Sequence, residues 1–374
     1  MNTRALTVQG TLGLSVAMGI GRFFYTPMLP IMMVALNWSD SVSAWVATSN
    51  YLGYLAGSVV LSKNWLRPTE KSYRANLVFS TLLLALMAAT DSPILQVVIR
   101  FLAGVSSVVI FVCITQFVAH NLKKPSLVGI VYGGVGLGIT VSGATVWLFG
   151  QSLQWGMLWL TAAFISAAFS VFAWHWPVTE QDPSSLTGGS ESSSNQRSVE
   201  SKRLAFRLLD SGYFFQGFGY IIIGTYLVAL AEPVFGDTAA ALTWVLAGIA
   251  AIPSPYFWSF MAERFGRRIA LMTCYGLQVI GAIAAIFGES TIFLIVAAVL
   301  FGTTFMGVTM LTISTGIAHD IPGGSARLTT WYSMGQVAGP AIIGLAFADS
   351  IVSAFIVAGV AILIGMISTQ LSRL

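Results

Sequence analysis

The chain has 374 residues, of which 56% are hydrophobic and 9% are charged, and its mean hydropathy is +0.81. A soluble globular domain carries about 25% charged residues, so this composition excludes an ordinary water-soluble fold and predicts a protein embedded in lipid. The net charge of +4 requires no anionic partner, because the cytoplasmic loops of membrane proteins are basic. Cys113 and Cys274 both lie in apolar runs, which predicts neither a disulfide framework nor a metal site.

Apolar runs separated by polar, Gly and Pro clusters predict an all-α membrane protein with twelve transmembrane helices. The predicted spans are 8–35, 41–62, 75–92, 94–119, 127–150, 154–176, 205–231, 238–261, 269–288, 290–318, 327–348 and 351–371. A Ser-rich, charged segment between the sixth and seventh spans predicts a flexible cytoplasmic linker. The expected organisation is an N-terminal six-helix bundle (1–176), a linker (177–203) and a C-terminal six-helix bundle (204–374).

The distribution of charge predicts the orientation of these spans. With the amino terminus in the cytoplasm, sixteen of the 18 Lys and Arg residues fall on the cytoplasmic side, and only Arg22 and Arg100 lie within predicted helices. The outer loops carry acids alone, and all 14 Asp and Glu residues are expected in loops or at helix ends. This pattern satisfies the positive-inside rule and predicts that both termini are cytoplasmic.

The two predicted halves resemble each other in sequence. Gly19-x-Gly21 on the first helix matches Gly217-x-Gly219 on the seventh, "FVAHNL" matches "GIAHDI", and "YGGVGLG" matches "YSMGQVAGP". These weak matches share an offset of about 200 residues and keep the same order, which is typical of duplicated transporters.

The loop after the eighth predicted span reads "SFMAERFGRR". It resembles the loop motif of the major facilitator superfamily, G-x-x-x-D-R-x-G-R-R, at Glu263, Arg264, Gly266, Arg267 and Arg268. An acid at a helix end can cap and pair with arginines, and glycine permits the tight turn. These five residues are therefore predicted to form a conformational latch.

Three other segments resemble the same superfamily. "GQVAGPAIIG", which contains Gly339 and Pro340, is similar to its Gly-Pro packing motif, and "RFLAGVSS" is similar to its fourth-helix arginine motif. "GIGRFFYTPMLP" resembles the first-helix signature of the YbfB/YjiJ-type branch. The resemblance implies a major facilitator fold in a bacterial cytoplasmic (inner) membrane, alternating access, a monomer, and a central cavity lined by helices one, four, seven and ten.

Arg22 lies near the middle of the first predicted helix, where a charge in hydrocarbon costs several kcal/mol and points to function. Pro27 and Pro30 follow it and predict a local kink that frees the carbonyls of Phe23 and Thr26. Arg22 is predicted to bind substrate, and the alternative is that it binds the freed carbonyls.

Arg100 lies near the start of the fourth predicted helix, and two positions stay open for it, the cavity wall and the outer interface near Asp91. Two arginines without a mid-membrane acid predict an electropositive cavity that favours an anion, since arginine offers paired hydrogen bonds to carboxylate, phosphate or sulfonate. Polar and aromatic residues complete the predicted substrate site: Tyr25, Asn50, Tyr54, Gln116, Gln216, Tyr220, Tyr332 and Gln336.

The leading hypothesis is a secondary active transporter of a small or amphipathic organic anion, not an enzyme. No cofactor, metal or nucleic-acid partner is predicted, since motifs such as a P-loop, H-E-x-x-H and C-x-x-C are absent from the sequence, and a coupling ion is left open. The alternative is a proton-linked exporter of hydrophobic drugs or zwitterionic metabolites, and the content of 11 Trp, 11 Tyr and 13 Met favours it. A third class is a non-transporting membrane protein such as a receptor or lipid flippase.

Overall fold

The computed structural model describes residues 3–63, 65–122, 124–178, 196–236, 240–319, 324–346 and 351–374. Every regular element in these ranges is a helix, as expected where lipid leaves backbone groups no water to bond. The helices are α1 (Thr3–Leu14), a π-helix (Ser15–Ile20), α2 (Tyr25–Leu36), α3 (Asp40–Ser62), α4 (Glu70–Met87), α5 (Pro93–Asn121), α6 (Pro125–Phe149), α7 (Trp155–Ala173), α8 (Gln196–Phe235), α9 (Ala241–Ala251), α10 (Ser254–Phe265), α11 (Arg267–Ile286), α12 (Thr291–Ala318), α13 (Gly324–Ala346) and α14 (Ile351–Ser372).

Local sequence sets several of these helix ends. Asn37 ends α2 in the left-handed conformation at φ 52°, which asparagine tolerates better than most residues. Ser39 begins α3 by accepting a hydrogen bond from the amide of Val42 at 3.4 Å. Thr69 and Ser72 form a reciprocal capping box at the start of α4, so two backbone donors that lack helical partners are satisfied.

Nine helical segments among the described residues are long and apolar enough to cross a membrane. They are Thr3–Leu36, Pro93–Val118, Leu127–Phe149, Trp155–Ala173, Lys202–Phe235, Ala241–Phe265, Arg267–Ile286, Thr291–Ala318 and Ile351–Ser372. The helices α3, α4 and α13 occupy the predicted second, third and eleventh spans, and they are richer in polar residues. The multi-pass helical architecture is thus confirmed, while the number twelve stays a prediction.

Two predicted spans are interrupted, and one begins early. The first is divided into α1, the π-helix and α2, and the eighth is divided at Ile252 and Pro253 into α9 and α10. Residues 196–203, which the sequence assigns to the linker, form the first two turns of α8. Most of the predicted linker, 179–195, lies outside the described residues.

Helix packing repeats between the two predicted halves. In the first, α1 packs on α6, α3 on α5 and α4 on α7; in the second, α8 packs on α13, α9 on α12 and α11 on α14. The halves meet where α3 packs on α13, α6 on α9 and α10, and α2 on α8. The small residues of "YGGVGLG" serve this contact, because a Cβ on Gly133 would lie 2.5 Å from the carbonyl oxygen of Ile252.

Large apolar side chains face outward on the long helices. Ile94, Phe164, Val171 and Ile292 are each at least 70% exposed. Such a continuous apolar exterior would be unstable in water, and it matches a surface surrounded by lipid.

Candidate functional site

The first membrane segment loses regular α-helical geometry just before Arg22. The amide of Gly21 donates to the carbonyl of Val16 at 2.8 Å, and that of Phe23 donates to the carbonyl of Met18 at 3.2 Å, both five residues back. Such π-type turns occur inside α-helices and are frequent at functional sites. The irregular stretch therefore spans residues 15–24, and Pro27 and Pro30 lie just beyond it, within α2.

Gly19 allows this irregular stretch to approach α6. A Cβ on Gly19 would lie 2.3 Å from the Cα of Gly138, so only glycine fits there. The hydroxyl of Ser142 on α6 donates to the carbonyl of Gly19 at 3.0 Å and satisfies an acceptor that the irregular helix exposes. The Gly19-x-Gly21 pattern thus permits close packing of the segment that carries Arg22.

Arg100 binds backbone that this irregular geometry leaves free. Its Nη1 donates to the carbonyl of Gly21 at 3.2 Å, and its Nη2 donates to the carbonyl of Arg22 at 2.9 Å. The amide of Thr26 donates to the carbonyl of Phe23 at 3.2 Å, three residues back, which leaves the Arg22 carbonyl to Arg100. Arg100 is 2% exposed, so it lies inside the protein and does not reach an outer interface.

The carbonyl-binding role that the sequence offered as an alternative for Arg22 therefore belongs to Arg100. The expectation that the Phe23 carbonyl stays free is wrong, because the Thr26 amide occupies it.

Arg22 points between the two predicted halves and is 1% exposed. Its Nη2 donates to Oε1 of Gln336 on α13 at 2.6 Å, and Nε2 of Gln336 donates to the hydroxyl of Tyr220 on α8 at 2.7 Å. The guanidinium carbon lies 4.3 Å from the ring centroid of Tyr54 and 5.2 Å from that of Tyr51, both on α3. Its Nε and Nη1 atoms are buried, and the described residues offer them no hydrogen-bond acceptor.

Other predicted site residues of the first half support the backbone around Arg22 and Arg100. The hydroxyl of Tyr25 donates to the carbonyl of Ser43 at 3.0 Å, and its ring centroid lies 5.0 Å from the Arg100 guanidinium. Nδ2 of Asn50 donates to the carbonyl of Arg100 at 3.0 Å. Gln116 is half-buried farther along α5.

A small central cavity lies between the two predicted halves and has a volume of about 20 Å³, room for no more than a water molecule or two. Its walls are Met18, Tyr54, Phe111, Tyr213, Tyr220, Phe305, Met306, Thr309, Ile313, Thr329 and Tyr332. Three of the predicted site residues, Tyr54, Tyr220 and Tyr332, line it directly. Arg22 lies next to this wall because its guanidinium packs on the Tyr54 ring, and Gln336 does so because it donates a hydrogen bond to Tyr220. Gln216 is fully buried on α8.

Several cavity residues were missed by sequence reasoning. Phe301 and Phe305 lie four residues apart on α12, so they share one helix face, and that spacing is the signal that could have found them. Their rings stack within 9° of parallel at 5.1 Å. Tyr213 is also stacked, on Tyr332, with centroids 4.5 Å apart.

Two further hydrogen bonds join the predicted halves beside Arg22. The Tyr51 and Thr225 hydroxyls are 2.8 Å apart, and the Thr26 hydroxyl donates to the carbonyl of Gly224 at 3.0 Å. The region around Arg22 is therefore a closed contact between α2 and α3 on one side and α8 and α13 on the other.

The expectation that acids lie only in loops or at helix ends is wrong for Asp210. This residue is 3% exposed and lies within α8, inside the candidate span Lys202–Phe235. Its Oδ2 accepts hydrogen bonds from Nε of Arg327 on α13 at 2.9 Å and from Nη2 of the same residue. The pair ties α8 to α13.

The residues of the predicted latch lie around the turn between α10 and α11. Gly266 joins α10 to α11 at φ +91°, a conformation that other residues rarely adopt. Arg268 donates from Nη2 to the carbonyl of Gln370 on α14 at 2.9 Å. Glu263 is exposed, and the ion pairs within the described ranges are Arg74–Glu70 and Arg327–Asp210.

Arg264 and Arg267 lie on either side of Gly266, at the end of α10 and the start of α11. The Gly-Pro segment of α13 packs closely on α8, since a Cβ on Gly339 would lie 2.7 Å from the carbonyl oxygen of Phe218. Pro340 follows it inside α13. Both glycine segments thus lie where backbones approach or turn.

Apolar helices long enough to cross a membrane surround this small central cavity, which is the architecture of a polytopic membrane protein. A family model described as "Uncharacterised MFS-type transporter YbfB" matches residues 14–370, and the chain belongs to this family of major facilitator transporters.

Solved structures of the nucleoside transporter NupG share the fold. The match to NupG has a TM-score of 0.69 at 14% identity and covers 100% of both chains. The match to a point mutant of NupG has a TM-score of 0.69 at 13% identity and covers 99% of both chains. No curated protein sequence matches the chain.

Proposed function

We propose that this protein is a secondary transporter that moves a small or amphipathic organic anion across a bacterial cytoplasmic membrane by alternating access. The proposal includes twelve spans in two six-helix bundles, joined by a cytoplasmic linker, with both termini in the cytoplasm. The protein works as a monomer on a small-molecule substrate, and the latch residues near Gly266 stabilise one of its conformations.

The observation that carries the proposal is the uncompensated charge of Arg22. Its guanidinium is buried between the predicted halves, has no carboxylate partner among the described residues, and keeps two nitrogen atoms without acceptors. A buried hydrogen-bond donor without a partner costs about 1–3 kcal/mol, and more when it is charged. An anionic ligand would supply both the missing acceptors and the missing negative charge.

Arg100 has a different part in this proposal. Its two Nη atoms are occupied by the carbonyls of Gly21 and Arg22, so it holds the irregular segment in position. Arg22 then binds the anion, while Arg100 keeps the Arg22 backbone at a fixed depth.

In this proposal, an oxygen atom of the ligand takes the position that the Gln336 amide oxygen occupies. Oε1 of Gln336 lies 2.6 Å from Nη2 of Arg22, and this bond crosses between the predicted halves. When the halves separate, an oxygen of the substrate replaces the amide oxygen, and Nε and Nη1 can bind its remaining oxygens. Because the guanidinium fork matches a carboxylate, phosphate or sulfonate, lysine at this position would be a poor substitute.

NupG is titled a nucleoside transporter, and a nucleoside is a competing substrate class for this site. Nucleosides carry a planar base on a sugar and are uncharged at neutral pH, so they would leave the charge of Arg22 uncompensated. The burial and free donors of Arg22 favour an acid.

Asp210 favours a second candidate, a proton-linked exporter of hydrophobic drugs or zwitterionic metabolites. It is a buried acid in a candidate span, one helical turn from the cavity residue Tyr213. Efflux of a cationic dye that collapses a pH gradient in proteoliposomes, and that is lost in Asp210→Asn, would support this candidate.

The anion proposal is tested with pairs of ligands that share a phenyl ring, in which one member carries an anionic group and the other an uncharged polar group. Purified protein is titrated with benzoate and benzamide, and with phenylphosphonate and phenol, while its thermal stability is followed; a ligand that binds the folded state raises it. We expect the acids to stabilise the protein and the neutral analogues to have little effect. Arg22→Gln should remove this difference, Arg22→Lys should weaken it, and Arg67→Gln, at an exposed position, should leave it unchanged.

Equal stabilisation by acids and neutral analogues, or a charge preference that survives in Arg22→Gln, would overturn the proposal. Transport itself is then measured as exchange of the tightest-binding labelled acid into proteoliposomes. Accumulation equal to that of empty liposomes would contradict a transport function.

A further inference from the structure

The second predicted half contains a row of nearly parallel aromatic rings, and four of these rings line the central cavity. Tyr220 on α8 lies within 12° of parallel to Tyr332 on α13, with centroids 5.3 Å apart. It lies within 2° of Phe305 at 5.8 Å and within 8° of Phe301 at 6.2 Å, both on α12. The row ends at Tyr213 on one side and at Trp244 on the other, and we call these six residues the aromatic row.

Parallel rings set this row apart from aromatic packing in the first half. There Phe24 meets Trp159 at 62°, Phe117 meets Trp176 at 69°, and Phe111 meets Tyr132 at 82°. The rings of Tyr220, Phe305 and Tyr332 border the central cavity together. Aromatic rings pack on one another in offset-stacked or edge-to-face geometry, so this side of the cavity is suited to a further ring.

One side chain joins the aromatic row to Arg22. Gln336 accepts from Arg22 at 2.6 Å and donates to the Tyr220 hydroxyl at 2.7 Å. A ligand group that replaces the Gln336 amide therefore lies beside both the guanidinium and the rim of the row. Tyr54, whose ring lies 4.3 Å from the guanidinium carbon, lines the same cavity from the first half.

We propose that the substrate is a planar aromatic carboxylate, whose carboxylate binds Arg22 and whose ring lies on Tyr220, Phe305 and Tyr332. The inference rests on the proposed anion transport and narrows its substrate class. The carboxylate is attached to the ring directly or through one or two carbons, because a single glutamine side chain spans the distance between Arg22 and Tyr220. The ring enters when the predicted halves separate, since the closed cavity holds about 20 Å³.

The test compares two acids that share a carboxylate and a six-membered ring, benzoate and cyclohexanecarboxylate. Binding of each to the purified full-length protein is measured by calorimetry. Stacking adds about 0.5–1.5 kcal/mol per ring pair, so benzoate should bind about 2- to 12-fold more tightly. The comparison uses the wild-type protein alone, so it decides the inference even where a variant fails to fold.

Variants then place the ring and separate this inference from the proposed function. Phe305→Leu should reduce the preference for benzoate, because one of the three contacting rings is lost, and leave the affinity for cyclohexanecarboxylate unchanged. Phe164→Leu, on the lipid-facing surface of α7, should change neither affinity. Arg22→Gln should weaken the binding of both acids to the same extent.

The outcomes distinguish the two claims. If both acids bind equally well and depend on Arg22, the aromatic inference is overturned while anion binding stands. A preference for benzoate that is as large in Phe305→Leu as in the wild-type protein overturns the placement of the ring. If neither acid depends on Arg22, or if adenosine binds the wild-type protein more tightly than benzoate, both the inference and the proposed function fail.

Discussion

Arg100 should be a structural residue whose loss weakens the fold and spares ligand recognition. The perturbation is Arg100→Met, which keeps much of the side-chain length and removes the charge. It leaves the buried carbonyls of Gly21 and Arg22 without the donors that now lie at 3.2 and 2.9 Å. Each buried unsatisfied carbonyl costs about 1–3 kcal/mol, which gives about 2–6 kcal/mol for the pair.

Methionine also relieves the cost of burying a guanidinium that is 2% exposed, so we expect the lower part of this range, about 2–4 kcal/mol. Arg100→Lys keeps the charge and can restore one hydrogen bond. It should therefore lose about half as much free energy of unfolding as Arg100→Met. Titration with SDS in mixed micelles measures the free energy of unfolding, and Arg67→Met, at an exposed arginine, is the matched control.

Two results would refute this reasoning. Arg100→Met could unfold at the same SDS fraction as Arg67→Met, which would show that the two carbonyl bonds contribute little. Alternatively, Arg100→Met could fold stably and lose the preference for acids over neutral analogues, which would show that ligand recognition depends on Arg100, either directly or through the position of Arg22.

Two further predictions concern close packing and the buried ion pair. Gly53→Ala places a Cβ 1.8 Å from the carbonyl oxygen of Phe101, so it should abolish folded protein in size-exclusion chromatography, whereas Gly276→Ala, with no atom within 4 Å, should fold normally. Arg327→Met leaves the buried Asp210 carboxylate unpaired and should destabilise the protein by about 1–3 kcal/mol. This cost is smaller than the cost of breaking a fully buried ion pair, because Arg327 is 35% exposed. Asp210→Asn should destabilise the protein less than Arg327→Met. The double variant should resist SDS better than Arg327→Met alone. A double variant whose loss of stability equals the sum of the two single losses would contradict a direct pairing.

Composition and charge placement were sufficient to predict the helical membrane fold and the burial of Arg22. Lipid forces long apolar helices, and a charge in their midst must lie inside the protein, so both follow from the sequence alone. The glycines of "YGGVGLG" lie at close helix contacts, as small residues allow in membrane helices.

The partner of each arginine could not be predicted in the same way. The π-helix at Ser15–Ile20 shifts the hydrogen-bond register by one residue, and no residue type in "SVAMGI" signals that shift. The shift decides which carbonyls are free, and therefore that Arg100 binds Gly21 and Arg22 while Arg22 reaches Gln336.

The aromatic row was missed for a related reason. Stacking between Tyr220, Phe305 and Tyr332 depends on how three helices cross, and sequence spacing describes only one helix at a time. Only the pair Phe301 and Phe305, on a single helix, left a visible pattern.

The closed central cavity has a thermodynamic consequence for every affinity measured in solution. A ligand cannot occupy about 20 Å³, so it binds only the fraction of molecules in which the two predicted halves have separated. The apparent dissociation constant is then the intrinsic constant divided by that open fraction. A substitution such as Tyr51→Phe, which removes the hydroxyl contact to Thr225, would tighten apparent binding by raising the open population without touching the ligand.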